Sequence, residues 1–258
     1  MTIRDAAPLG APCWIDLNTS DLDRAVQFYG ELFGWTAEDA GEDYGHYHNL
    51  SKDGALVGGL MRRQPDDGDH PDFWMTYLSS ADAKATAAAA ADAGGQVLLE
   101  PMDVMELGAM AVLGDSTGGA VGVWQPGRHR GFEVHGEVGA PVWHELHTRD
   151  HAGAVAFYQR VFGWHTSVVG DTDEFRYTTM TEGEEQYAGI MDASSYLPEG
   201  APPFWEVYFG LPDTDAALAA AERLGGKVLE PAVVTPYGRM AKVADPTGAV
   251  FKIVTVST

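Results

Sequence analysis

The sequence carries one pattern twice. Pro12-Cys13-Trp14-Ile15-Asp16-Leu17-Asn18-Thr19-Ser20-Asp21, followed by Phe28-Tyr29 and Phe33-Gly34-Trp35, returns as Pro141-Val142-Trp143-His144-Glu145-Leu146-His147-Thr148-Arg149-Asp150, followed by Phe157-Tyr158 and Phe162-Gly163-Trp164. Trp14 and Trp143, Tyr29 and Tyr158, and Trp35 and Trp164 are each 129 positions apart (143−14, 158−29, 164−35). Later markers keep nearly the same register: Trp74 with Trp205, Gly94-Gly95 with Gly225-Gly226, Glu100-Pro101 with Glu230-Pro231, and Asp115-Ser-Thr-Gly with Asp245-Pro-Thr-Gly. This period far exceeds the roughly 20–50 residues of solenoid repeats, so each copy is expected to hold its own core.

The pattern divides the chain into a tail at 1–11, a first domain at 12–125, a linker at 126–139 and a second domain at 140–258. The linker assignment rests on the Gly- and charge-rich run Gln125-Pro126-Gly127-Arg128-His129-Arg130-Gly131. Smaller joints are expected at Pro65–Pro71 and Pro198–Pro203. A formal charge of −22 argues against nucleic acid and anionic membranes as partners, because phosphate would be repelled at every encounter. One cysteine, Cys13, rules out an intramolecular disulfide and a cysteine zinc knuckle. Residues 1–11 lack the apolar core of a signal peptide, and no stretch approaches the roughly 18 apolar residues of a membrane span. The expected compartment is the reducing cytoplasm.

Within each copy the first segment alternates as a strand does, with Trp14, Asp16 and Asn18 on one face and Cys13, Ile15 and Leu17 on the other. The second copy groups Trp143, Glu145 and His147 in the same way. Asp21 and Asp150 stand where an N-cap belongs, and Ala25, Phe28, Tyr29, Leu32 and Phe33 follow at helical spacing, as do Ala154, Phe157, Tyr158, Val161 and Phe162. Short alternating runs follow at 44–50 and 54–61, and at 174–181 and 186–191. The back half repeats this order: a strand at 73–78 or 204–211, an alanine-rich helix at 82–93 or 213–224 stopped by Gly-Gly, then three more strands. Four β-α-β-β-β modules are expected.

Paired modules of this kind, opening on strand-Asp-helix-Phe-Tyr-x-x-x-Phe-Gly and closing on Asp-Pro-Thr-Gly before a last strand, resemble the vicinal oxygen chelate superfamily. That group includes glyoxalase I, bleomycin-resistance proteins and extradiol dioxygenases. The resemblance covers residues 12–256, and the Trp-x-(Asp/Glu)-Leu-x-Thr-x-Asp opening and Trp-Gln-Pro-Gly-Arg-His-Arg-Gly linker resemble a two-domain subgroup labelled glyoxalase or hydroxylase. It implies an α+β fold of two tandem glyoxalase-like domains, each a pair of βαβββ modules curled into a cup. It also implies metal ligands on the inner face. The matching positions here are Trp14 and Trp143 on the opening strands, Met75 and Glu206 on the fifth strands, and Gly122 and Lys252 on the closing strands. Indole, ammonium and glycine donate no lone pair, so the usual divalent metal site is expected to be lost in both copies.

In the second copy the inner face would carry Trp143, Glu145, Glu206, Tyr208 and Lys252. Two carboxylates and an ammonium in a desolvated cup form a candidate acid–base set, with one carboxyl raised by burial and the other held ionised by Lys252. The alternative is that Glu206 and Lys252 pair as a structural salt bridge in place of the metal. In the first copy Trp14, Asp16, Met75, Tyr77 and Trp124 form a largely aromatic wall suited to a flat organic molecule. His46 and His48 form a His-x-His pair that offers an alternative metal site with Asp16. His144, by alternation, points away from the cup toward the helix layer. The Gly-Gly pairs follow helices, so they do not cradle phosphate, and the usual nucleotide-binding and serine-hydrolase motifs are absent. Three readings remain open: a metal-free enzyme using Glu145, Glu206 and Lys252, a protein that sequesters a small organic molecule on Trp14, Trp124 and Trp143, or a protein-interaction scaffold, which would lack a cavity on the order of 300 Å³ or more. A monomer or a homodimer fits each.

Overall fold

A computed structural model describes residues 6–64 and 71–256 of the chain. Part of the expected joint at Pro65–Pro71 lies outside the described residues.

The first repeat contains β1 (Pro12–Thr19), α1 (Leu22–Phe33), β2 (Trp35–Asp39), β3 (His48–Lys52), β4 (Ala55–Arg62), β5 (Phe73–Ser79), α2 (Ala83–Asp92), β6 (Gln96–Val104), β7 (Gly108–Gly114) and β8 (Ala120–Pro126). The second contains β9 (Pro141–Thr148), α3 (His151–Phe162), β10 (His165–Asp171), β11 (Arg176–Glu182), β12 (Glu185–Asp192), β13 (Phe204–Leu211), α4 (Thr214–Arg223), β14 (Lys227–Thr235), β15 (Gly238–Ala244) and β16 (Val250–Thr255). Each helix begins where an aspartate accepts from the backbone three residues on: Asp21 from Arg24, Asp82 from Ala85, Asp150 from Gly153 and Asp213 from Ala216. Gly34 and Gly163 end α1 and α3 in the left-handed conformation, which glycine adopts without strain.

Each repeat forms an eight-stranded sheet, in the orders β2-β3-β4-β1-β5-β8-β7-β6 and β10-β11-β12-β9-β13-β16-β15-β14. The opening strand of each module lies at the centre, β1 antiparallel to β5 and β9 antiparallel to β13. Strand alternation therefore sends one set of residues from each central pair into the cup and the other set toward the helices.

The helices lie between the two sheets, and the cores are shared, which departs from the expectation of one core per copy. Phe28, Tyr29 and Phe33 of α1 pack with Phe209, Val243 and Phe251 of the second sheet, while Phe157, Tyr158 and Phe162 of α3 pack with Leu113, Val123 and Ala87 of the first repeat. Burying each large side chain contributes about 1.5–3 kcal/mol, and here part of that burial is against the other repeat.

The repeated sequence markers make this junction. Tyr29 Oη donates to Asp245 Oδ2 at 3.0 Å and accepts from Trp74 Nε1 at 3.0 Å. Its counterpart Tyr158 donates to Asp115 Oδ2 at 2.9 Å and accepts from Trp205 Nε1 at 3.1 Å. The other oxygen of each aspartate holds the Asp-x-Thr-Gly turn, as in the bonds from Thr117 N at 2.7 Å and Thr247 N at 2.8 Å. Trp35 reaches the Gly139 carbonyl just before β9, and Trp164 reaches the Gly10 carbonyl just before β1. The segment after β8 is also packed: Phe132, Val134 and Ala140 are buried, and Phe132 N donates to the Cys13 carbonyl.

Candidate active site

Equivalent strands place the two cup floors in register. In the second cup one row runs Lys242, Lys252, Tyr208 and Trp143 across β15, β16, β13 and β9, and the adjacent row runs Glu206, Glu145 and Gly189. The corresponding rows of the first cup are Val112, Gly122, Tyr77 and Trp14, and Met75, Asp16 and Gly59. His147, paired with Phe204, matches Asn18, paired with Phe73. Tyr177 lies over Gly189 and Tyr47 over Gly59, so close that a Cβ at either glycine would collide with the phenol.

The second cup holds a buried charge network. His147 Nε2 stands 3.1 Å from Glu145 Oε1 and 3.2 Å from Glu206 Oε2. Lys242 Nζ is 2.7 Å from Glu206 Oε1, and Lys252 Nζ is 3.1 Å from Glu206 Oε2. Lys252 donates to Tyr208 Oη at 2.9 Å, Tyr208 donates to Glu145 Oε1 at 2.7 Å, and Trp143 Nε1 donates to Tyr177 Oη at 2.8 Å. Tyr196 Oη meets His147 Nδ1 at 2.6 Å, and Phe204 stacks on the imidazole with centroids 4.7 Å apart. Burial opposes ionisation of the carboxyls, but His147 and the lysines outweigh it, holding Glu145 below its usual range and Glu206 at about 2. His147 is desolvated as well, yet the two carboxylates raise its pKa. The expected division into one raised and one ionised carboxyl does not hold here, because His147 and Lys252 stabilise both anions and Lys242 adds to the effect on Glu206.

The first cup keeps the tyrosines and loses the charges. Trp14 Nε1 donates to Tyr47 Oη at 2.8 Å, as Trp143 does to Tyr177. Where the second cup has Glu206, Lys252, Lys242 and His147, the first has Met75, Gly122, Val112 and Asn18. Gly122 leaves room for the Tyr77 ring, which lies where a Cβ would stand. Asp16 is consequently a buried carboxyl whose polar partners are the Tyr77 and Tyr47 hydroxyls. Burial pushes its pKa up to about 7 against the opposing effect of those hydrogen bonds. The Asn18 side-chain oxygen is buried without a hydrogen-bond partner. His129 comes from the inter-repeat segment to pack edge-on against Trp14, with centroids 4.3 Å apart, while its carbonyl accepts from Trp124 Nε1 at 2.9 Å. Burial lowers its pKa to about 4, leaving the imidazole neutral.

Glu145, Glu206, Lys252, Trp143 and Tyr208 are thus gathered in one cup, and Trp14, Asp16, Met75 and Tyr77 line the other, with Trp124 beside Trp14 through His129. His46 and His48 are not brought to Asp16. His46 precedes β3 with a φ of 57° and pairs with Asp39 at 2.9 Å, and His48 Nδ1 contacts the His46 carbonyl. His144 lies in the interdomain layer, stacked on His135. The sequence reading missed His147 as a cup partner, along with Lys242, Tyr47, Tyr177 and His129. Strand alternation had already put His147 beside Glu145. Two clefts, of about 500 Å³ against Arg24, Phe28 and Arg223 and about 350 Å³ against Ala87, Ala91 and Val97, lie outside both cups.

A sequence model of the Glyoxalase/Bleomycin resistance protein/Dioxygenase superfamily matches residues 13–121 and again 140–253, and the chain belongs to that superfamily. It is 35% identical over 248 residues to "Putative glyoxylase CFP32" of Mycobacterium tuberculosis, covering 95% of this chain and 94% of that one. It is 36% identical over 263 residues to "Anthracycline biosynthesis protein DnrV" of Streptomyces peucetius, covering 95% and 93%. Among solved structures, the Mn(II)-bound glyoxalase of Novosphingobium aromaticivorans superposes with a TM-score of 0.64 at 18% identity, covering 96% of this chain and 82% of that one. The 2,3-dioxygenase LapB of Pseudomonas sp. KL28 superposes with a TM-score of 0.66 at 13% identity, covering 100% and 94%. These two likenesses establish the fold.

The donors in the cups do not suit a divalent ion. The three that converge in the second cup are Glu145, His147 and Glu206, and Glu206 already faces two ammoniums that would repel a metal ion. The matching side chains of the first cup are Asp16, Asn18 and Met75. Among the described residues no group of three or more His, Cys, Asp and Glu is arranged to hold a metal ion.

Proposed function

We propose that the chain is a small-molecule enzyme that moves a proton on a flat, enolisable organic compound in the first cup, with Asp16 as the acid–base group and no metal. The observation that carries this reading is the environment of Asp16: a buried carboxyl, faced by two phenols, with a pKa near the pH at which it would work. In its ionised form Asp16 takes a proton from carbon next to a carbonyl, leaving an enolate, and then returns the proton to the same or a neighbouring atom. Atoms and electrons balance without an oxidant. Tyr47 and Tyr77 hold the carboxylate, the Asn18 amide offers a free polar contact, and Trp14, Tyr77 and Met75 supply a flat apolar wall. Two relatives carry anthracycline biosynthesis in their names, which agrees with a flat, ring-rich substrate. Glu145, Glu206 and Lys252 in this reading maintain the charge network of the second cup.

Deuterium uptake from D₂O into 2-tetralone, a flat enolisable ketone, tests the proposal by proton NMR. Wild-type protein is expected to accelerate exchange, and Asp16→Asn to lose at least about 100-fold of that acceleration, in line with the usual contribution of a general base. Equal exchange by the two proteins contradicts the assignment.

A second reading, sequestration without turnover, is favoured by how closed the first cup is: Trp14, Tyr77 and Trp124 are 4%, 6% and 7% exposed. In that case Trp14→Ala and Trp124→Ala weaken ligand binding, and the ligand is recovered unchanged.

A further inference from the structure

The larger of the two clefts outside the cups lies where α1 of the first repeat meets the end of α4 of the second. Its volume of about 500 Å³ is that of a small-molecule site, and it is lined by Arg24, Gln27, Phe28, Glu31, Arg223 and Leu224. The four α1 residues stand at i, i+3, i+4 and i+7, the spacing that puts side chains on one face of a helix. Seven residues of helix rise about 10 Å, so Arg24 and Glu31 mark opposite ends of that face. The turn after α4 meets the Arg24 end, because a Cβ at Gly225 would stand 3.1 Å from Arg24 Nη2. Phe28 is buried beneath, its ring edge against Gly226.

Neither guanidinium of the cleft is ion-paired among the described residues, although the chain has 38 acidic side chains against 16 basic ones. The carboxylate in the same cleft, Glu31, is engaged by Gln27 instead, whose Nε2 donates to Oε1 at 3.0 Å. Each guanidinium presents a rigid fork of N–H donors, and phosphate oxygens accept such forks two at a time. The Glu31 end accepts hydrogen bonds, so it suits hydroxyl groups and repels a second anionic group.

The matching junction between α3 and α2 serves as an internal comparison. There Gly153, Ala156 and Arg160 replace Arg24, Gln27 and Glu31 (153−24, 156−27 and 160−31 are each 129), and Asp92 replaces Arg223 (223−92 is 131). Phe157 packs on Gly95 as Phe28 does on Gly226, but a Cβ at Gly94 would meet nothing. The backbone packing is common to both junctions, whereas the two arginines belong to one.

We propose that the cleft between α1 and α4 binds a small hydroxylated phosphate monoester, its phosphate on Arg24 and Arg223 and its hydroxyls on Gln27 and Glu31. The site lies outside the Asp16 cup, and its failure would leave the proton-transfer reading untouched.

The test titrates the full, nitrogen-15-labelled chain with glucose 6-phosphate, inorganic phosphate and glucose, followed by amide chemical shifts. Glucose 6-phosphate is expected to move the amides of α1 and of residues 223–226 saturably, and to bind at least about tenfold more tightly than glucose, which has no charge for the arginines. Inorganic phosphate, which lacks hydroxyls for the Glu31 end, is expected to bind more weakly than the ester. Arg24, Glu31 and Arg223 are all exposed, so their variants should keep the fold. Arg223→Asp, the residue of the other junction, is expected to lose at least about tenfold in affinity for the ester, and Arg223→Lys, which keeps the charge without the fork, to lose less. Glu31→Ala is expected to narrow the gap between the ester and inorganic phosphate, and Arg160→Gln, at the other junction, to change neither affinity. No saturable binding of the ester, equal affinities for the ester and inorganic phosphate, or an unchanged Arg223→Asp overturns the proposal.

Discussion

Asp16 and Glu145 occupy the same place in their two sheets. Each is paired with a glycine, Gly59 or Gly189, and covered by a tyrosine, Tyr47 or Tyr177, that accepts a hydrogen bond from the tryptophan two residues before it. Yet their pKa values move in opposite directions, Asp16 up to about 7 and Glu145 below its usual range. The backbone and the tyrosines are common to both, so the difference comes from four neighbours: Asn18, Met75, Val112 and Gly122 against His147, Glu206, Lys242 and Lys252. Duplication has given one scaffold two electrostatic states.

The raised pKa of Asp16 makes stability depend on pH. The unfolded carboxyl ionises near 3.8, whereas the folded one keeps its proton to about 7, so wild-type stability from this group falls between those values and levels off above them. Asp16→Asn removes that fall. Urea unfolding of both proteins at pH 4, 6 and 8 is expected to show the variant gaining on wild type by a few kcal/mol, on the order of 1.4 per pKa unit, across the range. His147, whose contribution is present below about 6.5 and lost as pH rises through its raised folded pKa, acts equally in both proteins and cancels. A constant difference across pH contradicts this environment for Asp16.

Glu206 is the hub of the second cup. Glu206→Gln leaves Lys242, Lys252 and His147 facing Glu145 alone and is expected to destabilise the protein by about 3–5 kcal/mol at pH 7, as loss of one partner of a buried pair does. Wild type itself should lose the Glu206 contribution only as pH falls below about 4.5 toward 2. Denaturant midpoints measure both.

Much of this was legible beforehand, for identifiable reasons. The period-two pattern of Trp143, Glu145 and His147 fixed their shared face, and the aspartate caps and Gly-Gly stops located all four helices. What the apolar stripe of Phe28, Tyr29 and Phe33 does not reveal is its partner. The stripe requires burial, but burial against the other repeat depends on the Tyr29–Asp245 contact, 216 positions away. Lys242 was missed because its counterpart Val112 reads as an ordinary strand residue, and its place in the cup follows from its pairing with Lys252 on β16. Tyr47 stands just before β3 while Tyr177 lies inside β11, so their equivalence appears only once both phenols are seen over their glycines.

The shared core predicts cooperative behaviour. Tyr29→Phe and Tyr158→Phe each break a buried hydrogen bond to the opposite repeat and strand a tryptophan N–H, so each is expected to cost about 1–3 kcal/mol. Calorimetry should show one transition for wild type and both variants, moved to lower temperature. Two separated transitions would mean that the repeats fold independently.

Metal removal provides a separate check. With Glu206 already neutralised by two ammoniums, treatment with a chelator is expected to leave the melting temperature unchanged, and elemental analysis of the untreated protein to find no stoichiometric zinc, iron, nickel or manganese. A chelator-dependent drop in melting temperature contradicts the reading of the cup donors.

The central claim, that Asp16 alone of the two equivalent carboxyls is poised near neutrality, is tested most directly by carbon-13 NMR of protein labelled at the aspartate and glutamate side-chain carboxyls. The resonance that disappears in Asp16→Asn is predicted to titrate near pH 7, and the one that disappears in Glu145→Gln to titrate below the usual glutamate range. An Asp16 carboxyl already ionised at pH 5, or a Glu145 carboxyl titrating near 7, would contradict the account.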